Sequence, residues 1–223
     1  MKIGIDARLW SETGVGRYIR NLVKELQIID KKNEYILFVR KSDYDKVNNQ
    51  ITNDNFKTKM ADIRWHTVGE QLKFAQILNK ENLDLMHFPY FSVPVNYKRP
   101  FIITIHDLIL NHFPTGKAST LPAPLYQLKR IGYKYVLSNA IENAKKIIVP
   151  LNAVKEDVLK SYNVSASKIV VTYEGVDSSL RIERSNPKEI AASHLAPRND
   201  KGLGRYFLYV GNAYPHKNLD KLI

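Results

Sequence analysis

Short, nearly continuous apolar runs alternate with longer amphipathic segments along most of the chain, and this alternation leaves few architectures open. Strands covered on both faces need apolar side chains at successive positions, while the helices that connect parallel strands need one apolar stripe. Runs at 2–6, 35–39, 63–68, 84–88, 101–105, 146–150 and 169–173 read as such strands. Between the first two, Val15, Ile19, Leu22, Val23 and Leu26 recur at helical spacing and share one stripe. Another helix opens at Asn152, a residue suited to N-capping, and buries Val154, Val158, Leu159 and Tyr162. A long helical stretch over about 124–144 leads into the sixth strand. The fold class is α/β, a Rossmann-like, doubly wound parallel sheet.

With 44% hydrophobic and 25% charged residues, the chain has the apolar material for a proper core. The strand–helix pattern fills 1–177, which reads as one domain. Over 178–204 the apolar density drops, and Ser185-Asn186-Pro187, Ala196-Pro197-Arg198-Asn199 and Gly202 to Gly204 punctuate it as a linker or hinge. At 205–223 a buried strand, Tyr206-Phe207-Leu208-Tyr209-Val210-Gly211, is followed by a helix that stops in mid-pattern. One strand and part of a helix form no core, so this segment is expected to be the start of a second, truncated domain.

Several function classes drop out on composition. Without cysteine there is no disulfide framework and no thiolate metal site, and a reducing cytoplasm is the natural setting. The charged start Met1-Lys2-Ile3-Gly4-Ile5-Asp6 shows no secretory signal, and no run approaches the ~20 apolar residues that span a bilayer. A net charge of +12 favours anionic partners. The basic residues are scattered, and no helix-turn-helix, zinc or RNP signature accompanies them, so nucleic acid is not the expected partner.

Three segments carry chemistry. The loop from Asp6 to Thr13 and the start Gly14-Val15-Gly16-Arg17-Tyr18 join the first strand to the first helix at the carboxyl edge of the sheet, where open α/β folds bind ligands. Glycines let the backbone approach a ligand, and the helix start offers free N–H groups to an anion. The loop is too long for a dinucleotide fingerprint, and Ile19 stands where the third glycine belongs, which disfavours a dehydrogenase. The fifth strand delivers His106-Asp107 to the same edge, where an imidazole can donate to a sugar hydroxyl or phosphate oxygen. After the fourth strand come His87, Pro89, Tyr90 and Phe91, suited either to a sugar-stacking wall or to core closure. In the third segment, Tyr209-Val210-Gly211-Asn212 leads to Pro215-His216-Lys217-Asn218, a glycine loop with Lys217 placed as a point charge for a diphosphate.

Taken in order, Thr13 to Tyr18, His87 with Pro89, Thr104-Ile105-His106-Asp107-Leu108, Ile169-Val170-Val171 through Glu174-Gly175-Val176-Asp177, and Tyr209-Val210-Gly211 through Pro215-His216-Lys217-Asn218 resemble family 4 (group 1) glycosyltransferases of the GT-B fold, in particular the mannosyltransferase-like members of polysaccharide assembly. The resemblance covers nearly the whole chain and implies the N-terminal half of a GT-B enzyme. It implies retaining transfer of a sugar from a nucleotide-diphosphate sugar to a glycan or polyprenyl-linked acceptor, with no cofactor and no required metal. Gly14, Val15 and Gly16 would then approach the donor phosphate and sugar, joined by Asn212 and Lys217. His106 would contact the transferred sugar with Asp107 supporting its loop, and Arg17, Tyr18 and Tyr90 would face the acceptor. Two departures stand out: Asn212 occupies a place where the family often has arginine, and the paired glutamates of the family fall beyond residue 223.

The window 116–140 carries Lys117, Lys129, Arg130 and Lys134 with Tyr126, Tyr133, Tyr135 and Leu125, and no acid. It reads either as a helix lying peripherally on an anionic membrane or as a domain-packing helix with a basic outer face. A non-catalytic carbohydrate- or nucleotide-binding module is the alternative to an enzyme. Without the glutamate pair and a pocket for the base, the 223-residue chain by itself is expected to show little or no transferase activity. Multiple-turnover assays with a panel of nucleotide sugars check this.

Overall fold

The computed structural model describes residues 1–112 and 123–175. The expected linker at 178–204 and the segment 205–223, with Asn212 and Lys217, lie outside the described residues. So does Lys117. Met1–Glu174 forms one compact unit.

Seven parallel strands make one sheet in the order β3-β2-β1-β4-β5-β6-β7. The strands are β1 (Lys2–Asp6), β2 (Glu34–Val39), β3 (Phe56–Met60), β4 (Leu85–Phe88), β5 (Phe101–Thr104), β6 (Lys146–Val149) and β7 (Ile169–Val171). The helices are α1 (Gly14–Ile29), α2 (Tyr44–Asn48), α3 (Ala75–Lys80), α4 (Ile109–His112), α5 (Ala123–Asn143) and α6 (Asn152–Ser161), and a π-helical turn at Glu70–Phe74 precedes α3. The strand order reverses between β1 and β4, which pair with Ile5 opposite His87. At such a switch point the loops leaving neighbouring strands diverge to opposite faces and open a crevice.

Alternation along the strands assigns side chains to two cores. Tyr35, Leu37 and Val39 join Ile5, Ile19 and Val23 of the α1 face. Ile36 and Phe38 join Met86, Phe88, Ile103 and Ile147 on the other face, under Leu78 of α3, Leu137 of α5 and Val158 of α6. Right-handed crossovers account for this division, since the path runs outward from β1 to β3 and then the opposite way from β4 to β7. Gly4 is fixed by packing: a methyl there would stand 2.5 Å from Met86 Sδ and 2.6 Å from Leu83 Cδ1.

Two local expectations fail. The third strand is Phe56–Met60, while 63–67 is loop and turn and Val68 already begins a helical turn. β3 lies at the sheet edge with β2 as its single neighbour, so it tolerates Lys57 and Lys59, which a search for apolar runs passes over. Asn152 is not a cap either. Leu151 precedes α6 without a side-chain cap bond, and Asn152 Nδ2 donates to Tyr173 Oη at 3.1 Å. Of that helix Val158 is fully buried, while Val154, Leu159 and Tyr162 pack partly against the core. The other strand ends agree to within two residues.

The carboxyl edge is held by a buried ion cluster. Arg8, 2% exposed, donates through Nε to Asp6 Oδ1 at 2.8 Å and through Nη2 to Asp6 Oδ2 at 2.7 Å. The same Nη2 meets Glu70 Oε1 at 2.6 Å, and the guanidinium lies 3.7 Å from the centre of the Phe74 ring. Glu70 Oε2 accepts from Ser92 Oγ at 2.6 Å and from the His66 N–H at 2.9 Å, where His66 adopts a positive φ of 59°. Burial pushes the Glu70 carboxyl upward against the pull of Arg8 and Ser92. Burial also opposes the Arg8 charge, yet the two carboxylates outweigh it and raise the Arg8 pKa. Removing one member strands the others: Arg8→Ala is expected to cost about 3–5 kcal/mol of stability, read from urea denaturation at pH 7.

Candidate functional site

Thr13 precedes α1 without a side-chain cap bond, and the first intrahelical hydrogen bond runs from the Arg17 N–H to Thr13 O at 3.1 Å. The N–H groups of Gly14, Val15 and Gly16 therefore have no intrahelical acceptor. Gly14 is exposed, with open space where a Cβ would be. Gly16 differs. It is buried, and a methyl there would stand 2.6 Å from Leu9 O and 2.7 Å from Trp10 O, so its glycine character serves the packing of α1 on the loop. Arg17 points out and is exposed.

His106 follows β5 and is the point where four segments meet. Its ring lies edge-on to Tyr18 of α1, with centroids 5.0 Å apart. Nε2 donates to Pro89 O at 3.0 Å, and Nδ1 lies 3.1 Å from Glu174 Oε1 beyond β7. Both ring nitrogens face an acceptor, so both bonds form only when the ring carries two protons. The side chain is 17% exposed, neither buried in the interior nor remote from α1. Tyr18, which His106 touches, is one helical turn from Gly14, about 6 Å along the axis, so both lie at the carboxyl edge of the sheet beside the start of α1. Asp107 is exposed, and its Oδ1 accepts the Ile109 N–H at 3.0 Å, which fixes the start of α4.

Beneath His106 runs a polar relay on the α1 face of the sheet. His87 Nε2 is 2.9 Å from Thr104 Oγ1, which is 3.2 Å from the Tyr18 hydroxyl. Burial, aided by the nearby His106, lowers the His87 pKa to about 4, so the ring is neutral at pH 7. Desolvation also raises the Tyr18 hydroxyl, which is committed to Thr104.

On the other side of the crevice, Tyr90 stacks on His66 with centroids 5.8 Å apart and packs against Phe91 at 4.2 Å. Burial raises the Tyr90 hydroxyl to about 12. Next to it lies a cavity of about 270 Å³ between the loop after β3 and α5, with His66, Val68, Phe91, Lys129, Gly132 and Tyr133 in its walls. The structure thus brings Tyr18 and His106 together near the start of α1 and connects Tyr90, through His66 and Phe91, to an adjoining cavity. Sequence reasoning missed Arg8, Glu70 and the pairing of Glu174 with His106. Glu174 was in view as part of the family-like segment after the seventh strand, on the edge where such loops converge, but nothing local showed its partner. Among the described residues no three His, Asp or Glu side chains are grouped to hold a metal ion, and no helix is long and apolar enough to cross a membrane.

A seven-stranded parallel sheet with its switch point at β1 and β4 and helices on both faces is a Rossmann-like fold of the kind found in GT-B glycosyltransferases. The sequence profile of Glycosyltransferase Family 4 matches residues 13–180, and the chain belongs to that family. It is 22% identical over 177 residues to the O-antigen chain mannosyltransferase RfbU of Salmonella typhimurium, an alignment that takes in 79% of this chain and 42% of the relative. It shares its fold with the Anabaena protein HepE, whose crystal structure is a complex with UDP and glucose, at a TM-score of 0.52 and 13% identity, covering 86% of this chain and 49% of that one. A glycosyltransferase from Rickettsia africae aligns at a TM-score of 0.50 and 17% identity over 89% of this chain and 50% of its own. The chain thus spans about half the length of the proteins it matches.

The low His87 pKa makes folding pH-dependent. The unfolded ring takes up a proton below about 6.5 and the folded ring resists it down to about 4. Stability is expected to be full above pH 6.5 and to fall by about 3 kcal/mol as pH drops to about 4. Urea titrations across this window check the slope, which His87→Gln should reduce by the share of one proton.

Proposed function

We propose that this chain is the acceptor-side domain of a retaining glycosyltransferase, which moves a hexose from a nucleotide-diphosphate sugar to a glycan or polyprenyl-linked acceptor in cell-surface polysaccharide assembly. Membership of family 4, joined to an imidazole that packs on Tyr18 of the helix whose start is uncapped, is the observation that carries this reading. The match to a mannosyltransferase makes mannose the first donor sugar to test, and the UDP and glucose bound by HepE make uridine nucleotides the second series.

In this mechanism the N–H groups of Gly14 and Val15 stabilise charge on the donor phosphate and sugar without reorganising. His106, held from two sides by Pro89 O and Glu174, orients the transferred hexose, and Asp107 keeps its loop in place. Tyr90 and the exposed Arg17 guide the acceptor, with Tyr18 as the wall that fixes the imidazole. Asn212 and Lys217 would meet the departing diphosphate. No side chain of the described crevice serves as a nucleophile: the leaving phosphate accepts the acceptor proton, and positioning supplies most of the rate. The reaction needs no resident cofactor or metal in this scheme. In the protein purified from its native source, His106→Ala should lower kcat/KM by about 10²- to 10³-fold, and unchanged transfer would refute the assignment.

A peripheral contact with the anionic inner face of the membrane fits the same reading. Leu125, Leu128, Ile131 and Tyr135 of α5 are each more than half exposed and lie within one arc of the helix, with Lys129 and Lys134 exposed beside them. The far end of the helix packs inward through Leu137, Ala140 and Ile141. Flotation should carry the protein up with vesicles rich in anionic lipid and not with neutral vesicles, and Leu128→Glu with Ile131→Glu should abolish that.

A further inference from the structure

Gly132 lies in the interior of α5, where glycine loosens a helix relative to alanine. Neither conformation nor packing accounts for it. Its backbone is helical, and a methyl built on it meets no heavy atom within 4 Å among the described residues. Gly4 and Gly16, by contrast, face neighbours closer than 3 Å at the same test. What Gly132 does border is the cavity beside Tyr90, where it is the place at which a ligand can lie directly on the helix backbone.

The walls say what such a ligand looks like. Phe91 and Tyr133 meet edge to face at 4.9 Å, and the His66 ring packs against Phe91 at 5.2 Å, so the lining is largely aromatic. Polar groups are few. Ser92 is committed to Glu70, Thr67 Oγ1 donates to Arg64 O at 2.8 Å, and Gln71 accepts the Val95 N–H through Oε1 at 2.9 Å, which leaves its amide NH₂, the His66 ring N–H and the Lys129 ammonium as donors. A volume of about 270 Å³ lies below the usual range for whole ligand sites and suits a single ring. A pyranose has apolar C–H faces for aromatic walls and hydroxyl oxygens for these few donors.

We propose that Gly132 is a specificity-determining residue: by lacking a side chain it opens this cavity to one pyranose ring of the acceptor, seated between α5 and Phe91. The proposal rests on the reading of this domain as the acceptor side. A ring seated there is positioned beside Tyr90 and, through it, next to the crevice that holds His106.

The test uses Gly132→Ala and Gly132→Leu, with phenyl and octyl hexopyranosides as probes in ligand-observed NMR titrations of the 223-residue chain. Alanine is expected to raise the melting temperature by about 2–4 °C and to weaken hexoside binding about ten- to a hundredfold. Leucine is expected to abolish binding. A fall in melting temperature with alanine would mean that the chain itself fills the space, and the proposal is then wrong. It is equally wrong where both variants bind as the unaltered chain does, or where the unaltered chain binds no hexoside. The transferase reading is scored separately, by sugar transfer in the native protein: intact transfer with an unchanged acceptor KM in Gly132→Ala removes the role of Gly132 and leaves that reading standing.

Discussion

The guanidinium of Arg8, enclosed by Asp6, Glu70 and the face of Phe74, is the constraint on which the carboxyl edge depends. A charge this deep is tolerated because two carboxylates and the Ile63 carbonyl, at 3.3 Å, accept hydrogen bonds from it. One ion cluster thereby ties the loop after β1 to the loop after β3, and through Ser92 to the loop after β4. Those three loops lie side by side at the carboxyl edge. Their backbones are irregular, so without a shared polar anchor nothing in the sheet itself would hold them at fixed distances.

On that frame, His106 has little freedom. The ring is gripped by a carbonyl from the β4 loop, a carboxylate from the β7 loop and the edge of Tyr18. The three partners follow different strands or open α1, so the ring's position depends on how β4, β7 and α1 lie around β5. The neutral His87 below it completes the arrangement: burial keeps that ring uncharged and free to bond Thr104.

α5 shows how one helix can serve two environments. Its carboxyl-terminal half is fastened to the core, and Lys168 caps its last turn by donating to Ile141 O at 2.8 Å and Glu142 O at 2.6 Å. Its amino-terminal half carries apolar side chains outward and lines a cavity on its flank. Apolar residues on both sides blur the periodic stripe by which amphipathic helices are read, which is why the sequence pattern left its role open between membrane contact and domain packing.

Local pattern was sufficient for much of the rest. Continuous apolar runs marked six of the seven strands because central parallel strands are covered on both faces, and the edge strand β3 escaped because one exposed side lets lysines in. The helix spacing after β1 and the His-Asp pair after β5 were legible for the same reason: each is a property of neighbours in sequence. The sequence by itself determined the strand and helix types and the positions of glycine and histidine at strand ends. Only the tertiary structure decided that Glu174 reaches His106 across 68 residues and that Arg8 finds Glu70 across 62. Such contacts follow from strand order, crossover handedness and the exclusion of water from a shared interior, none of which is written in any short stretch of chain.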